Sequence, residues 1–474
     1  MLHRVLALVP PCTFSLSLMT PLLVVMTAFL ALMTQTVAAA PPDRPAGRAS
    51  DPRPNIVLVL SDDQGWTDYG FMDHPTIQTP NLDRLARQGT LFRRGYVPTA
   101  LCRPSLMSIV TGHYASVHGV TGNDPSPKYG NLQSEDGKRR RAKLIANIDR
   151  FETLPERLVE SGYLAHQSGK WWEGHWSRGG FTAGMTRGFP NRGGRHGDDG
   201  LKIGRQGLQP IKRFVGDAAG QGNPYFLWYA PFLPHSPHNP PEEFLAKYRR
   251  PNVPESIAKY QAMCEWFDTT CGELMDLVQA HNGGRETFVV YVCDNGWVQG
   301  PKTNKFALRS KQSPYDFGVR TPIFYWWPGK IPAADRPELA SSLDLYPTIL
   351  AAAGLPVPDG LPGLNLLPAI TQPAPIRRDS LFGESFAHDI ANLDDPEQSL
   401  LFRWVIQDQW KLLLTYDGET NRYTQVHPRT ERGPQLFDLN ADPNETKNLA
   451  DQHPDLVATL TKRIEDDAKT RSLK

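Results

Sequence analysis

The stretch PNIVLVLSDDQG at residues 54–65, an apolar run followed at once by two aspartates, decides the fold. Residues 55–60 are apolar at almost every position, as in a strand that is covered on both faces. Asp62 and Asp63 come next, and adjacent carboxylates at the end of a buried strand are costly unless a cation balances them. Ligand sites in open α/β sheets lie beyond the carboxyl ends of the strands. The stretch therefore predicts an α/β protein with a charged site at this strand end.

Further apolar runs alternate with helical patterns along the chain, at residues 162–168, 225–229, 287–293 and 321–326. Residues 79–89 and 153–162 have helical spacing, and each stretch ends in glycine. This alternation predicts a mostly parallel central sheet with helices on both faces. Polar residues follow the runs at their ends, namely Lys170, His235, Asp294 and Asn295. We therefore expect residues that are distant in sequence to meet in one crevice.

Composition and pattern predict three segments. Residues 1–40 resemble a signal peptide, with Arg4 before an apolar run at 22–33 and three alanines before Pro41. The apolar run is shorter than the ~20 residues that span a bilayer, so we expect export to the periplasm or extracellular space; a retained membrane anchor is the alternative. Residues 54–375 are predicted to form the catalytic domain. Residues 376–474 are predicted to form a small α+β domain, with antiparallel strands at 399–416 and a helix at 454–469.

The overall composition is that of a globular protein, with 474 residues, 40% hydrophobic and 21% charged. A formal net charge of +1 gives no general attraction for nucleic acid or for an anionic membrane, and we expect neither as a partner. Residues 124–150, with the basic run KRRR at 138–141, are interpreted as a surface insertion that is either a solvated loop or a polyanion-binding patch. Residues 178–207 lack periodicity, which predicts an irregular loop near the site.

The cysteines do not indicate a disulfide framework. Cys264 and Cys271 are expected on one helix, about 10 Å apart over two turns, which is beyond the reach of a disulfide. We interpret them as small buried hydrophobic residues.

A hard cation would balance the charges at the strand ends. Asp62, Asp63, Asp294 and Asn295 offer only oxygen ligands, which suits calcium or magnesium and argues against zinc. The alternative is that the Asp-Asp-Gln-Gly and Asp-Asn-Gly segments are simply turns, because both have turn chemistry.

The order of several motifs resembles that of the type I sulfatase family over nearly the whole chain after residue 53. The matching segments are PNIVLVLSDDQGWTDYG (54–70), TPNLDRLARQGTLF (79–92), CRPSLMSIVTGHY (102–114), TLPERLVESGY (153–163), SGKWWEG (168–174), PHSPH (234–238), CDNG (293–296), SKQSPYDFGVRTP (310–322) and QLFDLNADPNETKNLA (435–450). The resemblance implies an alkaline-phosphatase-like α/β sandwich with a smaller C-terminal domain, and hydrolysis of a small-molecule or oligosaccharide sulfate ester.

The family resemblance also implies the site. Cys102 would be oxidised by formylglycine-generating machinery, and the resulting formylglycine hydrate would attack sulfur. The implied metal ligands, for Ca²⁺ or alternatively Mg²⁺, are Asp62, Asp63, the residue-102 side chain, Asp294 and Asn295. Lys170, His235 and Lys311 match the sulfate-binding and leaving-group positions, where lysines supply positive charge and a histidine or lysine can protonate the departing alkoxide. Arg320 is expected to be a structural ion-pair partner.

Two residues depart from the family pattern. Leu106 stands where the Cys-x-Pro-x-Arg modification motif has arginine, and Trp172 stands where Lys-x-His has histidine. The family arginine helps to specify oxidation and holds the formylglycine, and the histidine acts as the base that expels sulfate. Tryptophan cannot accept that proton. Arg103 restores a positive charge near the missing arginine, but its position directs it differently.

Three accounts fit these departures. In the first, Cys102 is still oxidised and His113, His118 or His175 supplies the missing base. In the second, unmodified Cys102 or a metal-bound water acts on a phosphodiester or phosphonate. In the third, the protein binds a sulfated ligand without catalysis. The aromatic and arginine-containing loop at residues 171–205, with Trp176 and Arg195, is predicted to stack against a carbohydrate ring.

Overall fold

The computed structural model describes residues 52–472, except for 304, 373 and 427–431. The predicted signal peptide at residues 1–40 lies outside the described residues. The strands are β1 (Asn55–Ser61), β2 (Thr90–Phe92), β3 (Gly95–Tyr96), β4 (Asp124–Pro125), β5 (Leu164–Gly169), β6 (Ala183–Gly184), β7 (Tyr225–Ala230), β8 (Thr287–Cys293), β9 (Ile323–Trp326), β10 (Ala334–Arg336), β11 (Ala340–Ser341), β12 (Leu381–Phe386), β13 (Asp389–Ile390), β14 (Leu400–Gln407), β15 (Trp410–Thr415) and β16 (Gln435–Asp438). The α-helices are α1 (Pro80–Gln88), α2 (Cys102–Thr111), α3 (Ala115–His118), α4 (Glu135–Ile145), α5 (Leu154–Glu160), α6 (Gln209–Gln221), α7 (Glu242–Tyr248), α8 (Glu255–Ala280), α9 (Asp316–Val319), α10 (Leu345–Ala352), α11 (Leu367–Thr371) and α12 (Pro454–Ser472).

The central sheet has the strand order β10-β2-β9-β8-β1-β7-β5-β6. The inner strands from β8 to β6 are parallel to one another, with β1 between β7 and β8. β9 runs antiparallel to both β8 and β2, so the sheet is mixed at one side. The predicted run at residues 321–326 is therefore confirmed as a strand, but it begins at Ile323 and is not parallel to the others.

The apolar run of β1 faces two separate cores, one on each side of the sheet. Ile56, Leu58 and Leu60 pack into one core, with α2 and α10. Val57 and Val59 pack into the other, with α1, α6 and α8. Because successive strand side chains point to opposite faces, a strand with apolar residues at both parities must be covered on both. The predicted α/β sandwich is confirmed.

The small antiparallel sheet near the C-terminus has the order β12-β14-β15-β16. Leu460 and Ile464 of α12 pack against Val405 and Leu412 of this sheet. The predicted antiparallel strands and the final helix are thus confirmed, whereas the boundary between residues 375 and 376 stays a prediction.

The segment at residues 124–150 differs from its prediction. The basic run lies within α4, a helix whose Ser134 side chain accepts a hydrogen bond from the Gly137 backbone N–H and so caps the first turn. Asp124, at the start of the segment, is buried. The basic run is therefore part of a surface helix rather than a loop, with Lys138 and Arg139 exposed and Arg140 and Arg141 half-buried, and polyanion binding by this helix stays a prediction.

Cys264 and Cys271 both lie on α8, as predicted, and the described cysteines are free and buried. Within the described part of the chain, no helix combines the length and the apolar composition of a transmembrane span.

Candidate metal and anion site

Backbone hydrogen bonds between neighbouring chain segments bring the predicted site residues together. The Asp62 N–H donates to the Leu233 carbonyl at 3.0 Å, and the Asp294 N–H donates to the Ser61 carbonyl at 3.0 Å. The Lys170 N–H donates to the Ala230 carbonyl at 2.7 Å. The residues that follow β1, β5, β7 and β8 therefore meet at one edge of the sheet, as the strand pattern predicts.

Cys102 reaches this edge from the first turn of α2. The Lys311 Nζ lies 3.0 Å from the Cys102 Sγ and 2.5 Å from the Asp63 Oδ1. Potential ligand atoms of Asp62, Asp63, Cys102 and His235 all lie within 4.8 Å of one another. Burial raises the pKa of the Cys102 thiol to about 12, even though Lys170 and Lys311 oppose that rise.

The second lysine holds two of the other carboxylates. The Lys170 Nζ lies 2.7 Å from the Asp62 Oδ1 and 3.5 Å from the Asp294 Oδ2. Burial alone would lower the pKa of Lys170, but these carboxylates and Cys102 raise it well above its ordinary value. Burial raises the pKa of Asp294 to about 7, and repulsion from Asp62 and Asp63 adds to this rise. For Asp63, Lys311, His235 and Lys170 outweigh burial and lower the pKa.

The side chain of His235 is oriented by its own loop. Its Nδ1 lies 2.6 Å from the Ser236 carbonyl oxygen and therefore donates to it, so Nε2 faces the Asp63 Oδ2 at 3.3 Å. Burial lowers the pKa of His235 to about 3, although the Asp63 carboxylate opposes this. The imidazole is thus neutral, with a lone pair directed into the site.

Buried oxygens without partners indicate that the site fits a hard cation. Asp62 Oδ2, Asp63 Oδ2 and Asn295 Oδ1 are buried and make no hydrogen bond. When all three are ionised, Asp62, Asp63 and Asp294 carry one more negative charge than Lys170 and Lys311 balance. Oxygen donors with an uncompensated negative charge are the ligand set that calcium and magnesium prefer. The residues present therefore fit the predicted Ca²⁺ or Mg²⁺, and a simple pair of turns would not explain these unpaired oxygens.

The two departures from the family pattern change one end of the site. Leu106 is buried in the core beneath α2. Arg103 does not replace the missing arginine, because its guanidinium forms a buried two-point ion pair with Glu173, at 2.8 and 2.6 Å. Trp172 is also buried, and its ring centroid lies 5.1 Å from that of His196.

Of the histidines that line the cavity, His235 was predicted from the sequence, whereas His196 and His388 were not. A cavity of about 820 Å³ opens over Cys102, Lys170 and Lys311, and its lining includes His196, His235 and His388. His113, His118 and His175 do not line it: His118 is fully buried beside Ser108, and His175 is bonded to Ser177. His196 was not predicted as a site residue, because its position in the irregular loop at residues 178–207 was the only feature of the sequence that indicated it.

Three smaller predictions concern this loop, Trp176 just before it, and Arg320. The loop's position near the site is confirmed, because Arg195 and His196 line the cavity. Trp176 does not line the cavity, and its ring packs instead against His175. Arg320 pairs with Asp316 at 3.6 Å and covers the Trp66 ring, so its predicted structural role is confirmed.

Comparison with known proteins identifies the class. The Sulfatase family profile matches residues 54–355, and the profile "N-sulphoglucosamine sulphohydrolase, C-terminal" matches residues 305–470. Bovine (Bos taurus) arylsulfatase A is 31% identical over 89% of this chain and 87% of its own length. N-acetylgalactosamine-6-sulfatase of Canis lupus familiaris is 30% identical over 68% of this chain and 67% of its own. The crystal structure of Ps i-CgsB superposes with a TM-score of 0.69 and 24% identity, over 88% of this chain and 93% of that one.

The α/β sandwich and the sulfatase relatives together define an ester hydrolase of the alkaline phosphatase superfamily. Within that superfamily the chain belongs to the sulfatase family, and it is a sulfuric ester hydrolase.

Proposed function

We propose that this protein is exported and hydrolyses a sulfate ester of a carbohydrate, with residue 102 as the attacking group and a calcium-type cation beside it. The reaction is R–OSO₃⁻ plus water, giving R–OH and hydrogen sulfate. The observation that carries the proposal is the cluster of Cys102, the unpaired carboxylate oxygens and the two buried lysines at one strand edge.

Asp62, Asp63, Asp294 and Asn295 would hold the cation, together with the residue-102 side chain. When bound, such a cation supplies a Lewis acid that lowers the pKa of the attacking hydroxyl and offsets sulfate charge. Formylglycine at position 102 supplies that hydroxyl. Without a bound cation, burial raises the pKa of the Cys102 thiol to about 12, so the thiol is protonated at neutral pH and is a weak nucleophile. This favours the modified side chain, made by formylglycine-generating machinery, over the thiol.

Lys170 and Lys311 remain protonated because the carboxylates around them outweigh burial. They place two fixed positive charges where the sulfate oxygens would lie, and fixed charges need no reorganisation as the S–O bond breaks. His235 faces the same space with Nε2. An arriving anion favours the protonated form of this imidazole, so His235 can donate a proton to the departing alkoxide.

We assign to His196 the basic role that the family histidine has elsewhere. Its ring lies against Trp172, the residue in the family histidine's position, and its Nδ1 is buried without a hydrogen-bond partner. Burial lowers the pKa of His196 to about 3, with Lys170 and Arg195 adding to the effect, so the imidazole is neutral before an anion binds. A bound anion in the cavity would raise this pKa and so allow the imidazole to accept a proton. His196→Ala is expected to trap enzyme after the first turnover, which shows as a burst of alcohol without continued release. A steady rate equal to that of the parent protein would contradict this role.

The decisive experiment is mass spectrometry of the peptide that contains Cys102, from protein purified out of its native host, together with sulfate release from a panel of sulfated sugars. We expect the mass of an aldehyde in place of the thiol, and release that is lost in Cys102→Ala. Phosphodiester and phosphonate substrates are run in parallel. An unmodified thiol with turnover of those substrates would support the phosphoester reaction, and saturable binding without turnover would support a binding protein.

Export has its own test. The amino terminus of the mature protein, recovered from the periplasm or the medium, is expected just after Ala40. Recovery of the uncleaved chain from a membrane fraction would support the retained anchor.

A further inference from the structure

Two buried carboxylates, those of Asp124 and Asp389, lie side by side, and Asp124 lines the cavity that opens over Cys102. Asp124 of β4 and Asp389 of β13 are paired in register between two parallel strands. Their side chains are 4% and 0% exposed. Neighbouring buried carboxylates repel each other and have lost their hydration, so they need cations nearby.

The cations that surround this pair are arginines from three different parts of the chain. Arg195 of the irregular loop bonds Asp124 through Nε and Nη2, and Arg141 of α4 bonds it at 2.8 Å. Arg422, beyond β15, bonds Asp389 through Nε and Nη2 at 2.5 Å and reaches to 3.7 Å from Asp124. The three arginines therefore carry one more positive charge than the two carboxylates can balance.

Several guanidinium N–H groups remain unused and open to the cavity. The side chains of Arg195 and Arg422 are 37% and 41% exposed and line the cavity. Among the described residues, neither Nη1 has a hydrogen-bond partner, although each guanidinium is held firmly by its other nitrogens. Lys305 lines the same cavity and adds positive charge. A guanidinium that is fixed on one side and free on the other is preorganised for an oxyanion.

Trp172 connects this cluster with the sulfate end of the site. The Arg195 guanidinium lies 4.6 Å from the Trp172 ring centroid. Trp172 follows Lys170 by two residues, and both line the cavity with Cys102. The Trp172 ring, with Arg195 stacked on it, therefore lines the same cavity as Cys102 and Lys170.

We propose that Arg195, Arg422 and Arg141 form an outer anion subsite that binds a second acidic group of the substrate while the scissile sulfate lies at Cys102. This inference rests on the proposed sulfatase function and narrows its substrate class to acidic oligosaccharides. The group is a carboxylate or a second sulfate, because both present the planar or tripodal oxygens that an arginine fork binds. A purely structural cluster would need only two of the three cations and would not require open donors.

The test compares three substrates that carry the same scissile sulfate on a disaccharide: one neutral elsewhere, one with a uronic acid, and one with a second sulfate. For each, kcat/KM is measured with the parent protein and with Arg195→Gln and Arg422→Gln. We expect the parent to prefer a diacidic substrate, and each variant to reduce that preference about 10-fold, mainly through KM. The diacidic substrate that shows the effect identifies the group as carboxylate or sulfate.

Arg139→Gln is the matched control, because Arg139 lies on α4 but is 72% exposed and pairs only with Asp136. It is expected to leave all three rates unchanged. Equal losses on every substrate in the Arg195 and Arg422 variants, or no preference in the parent, would show that the cluster is structural and overturn the subsite.

Failure of the sulfatase function is read separately. If the protein is not a sulfatase, no sulfate is released from any substrate. Binding to the subsite does not need turnover, and it is measured by calorimetry with the non-scissile diacidic sugars and the Cys102→Ala variant. Tighter binding of these sugars than of the neutral sugar, weakened by Arg422→Gln and by added salt, supports the subsite without turnover.

Discussion

Replacing Lys411 by methionine removes the single positive charge at the centre of a buried ion cluster. Lys411 lies on β15 and pairs with Asp316 and Glu445, each at 2.8 Å, and all three side chains are 0% exposed. Asp316 begins α9, between Lys311 and β9, whereas Lys411 and Glu445 lie in the C-terminal sheet region. The cluster therefore holds the small antiparallel sheet against the larger part of the protein.

The magnitude follows from what the substitution leaves behind. Methionine has a similar length but no charge, so Asp316 and Glu445 stay buried next to each other, and the remaining counter-ion is Arg320, 3.6 Å from Asp316. Breaking a buried ion pair by removing one partner costs about 3–5 kcal/mol. We expect Lys411→Met to lower the free energy of unfolding by that amount. Replacing exposed Lys469, 4.0 Å from Asp466, by methionine is the control and is expected to cost less than ~0.5 kcal/mol.

The effect has a definite pH dependence. Burial raises the pKa of Glu445 to about 7 in the parent, with Lys411 opposing the rise. A carboxyl whose pKa is raised by folding contributes stability at low pH and loses it as pH rises through the folded pKa. In the parent that loss is complete just above pH 7. Without Lys411 the pKa rises further, so the variant continues to lose about 1.4 kcal/mol per pH unit above pH 7.

Urea unfolding, followed by circular dichroism at pH 6, 7, 8 and 9, measures both quantities. The double variant Lys411→Met/Glu445→Gln removes one of the two stranded charges and is expected to recover stability at pH 8 and 9. The reasoning is refuted if Lys411→Met costs less than ~1 kcal/mol at pH 8, or if its cost does not change between pH 7 and 9.

Other expected outcomes concern the site. His235→Ala should lower kcat about 10²–10⁴-fold for a sugar sulfate but much less for an aryl sulfate with a good leaving group; equal losses would remove the proton-donor role. Chelation should abolish sulfate release and lower thermal stability, because a cation present at 100 times its Kd contributes about 2.7 kcal/mol; an unchanged Tm in the chelated protein would exclude a resident metal. Arg103→Met should lower the free energy of unfolding in urea by about 3–5 kcal/mol, because it leaves Glu173 buried and unpaired. Adding Glu173→Gln should restore part of this free energy. An unchanged stability of the single variant would contradict a stabilising ion pair between Arg103 and Glu173.

The sequence alone was sufficient to predict the fold and the residues that meet at the candidate metal site. Apolar runs such as residues 55–60 and 287–293 are uniform enough to predict strands buried on both faces, and both strands are confirmed. Asp62, Asp63, Asp294 and Asn295 come directly after those strands. Their meeting follows from the geometry of a parallel sheet, in which carboxyl ends share one edge.

The sequence was less informative about segments without periodicity. The basic run at residues 138–141 has the composition of a solvated loop, yet it forms part of a helix that directs Arg141 towards Asp124. The sequence of this run does not predict which buried carboxylate its charged side chains will pair with. Similarly, β9 has the pattern of the other strands, but its antiparallel direction depends on the path of the preceding chain.

The sequence by itself therefore determined the sandwich fold, the meeting of the acidic strand-end residues and the likeness to sulfatases, because each depends on short-range patterns or on strand ends. Only the tertiary structure decided that His196 rather than His113, His118 or His175 lines the cavity. It alone brought Arg195 and Arg422 to the paired aspartates. These contacts join irregular segments far apart in the chain, and their geometry is set by how loops pack over the sheet, which no local period records.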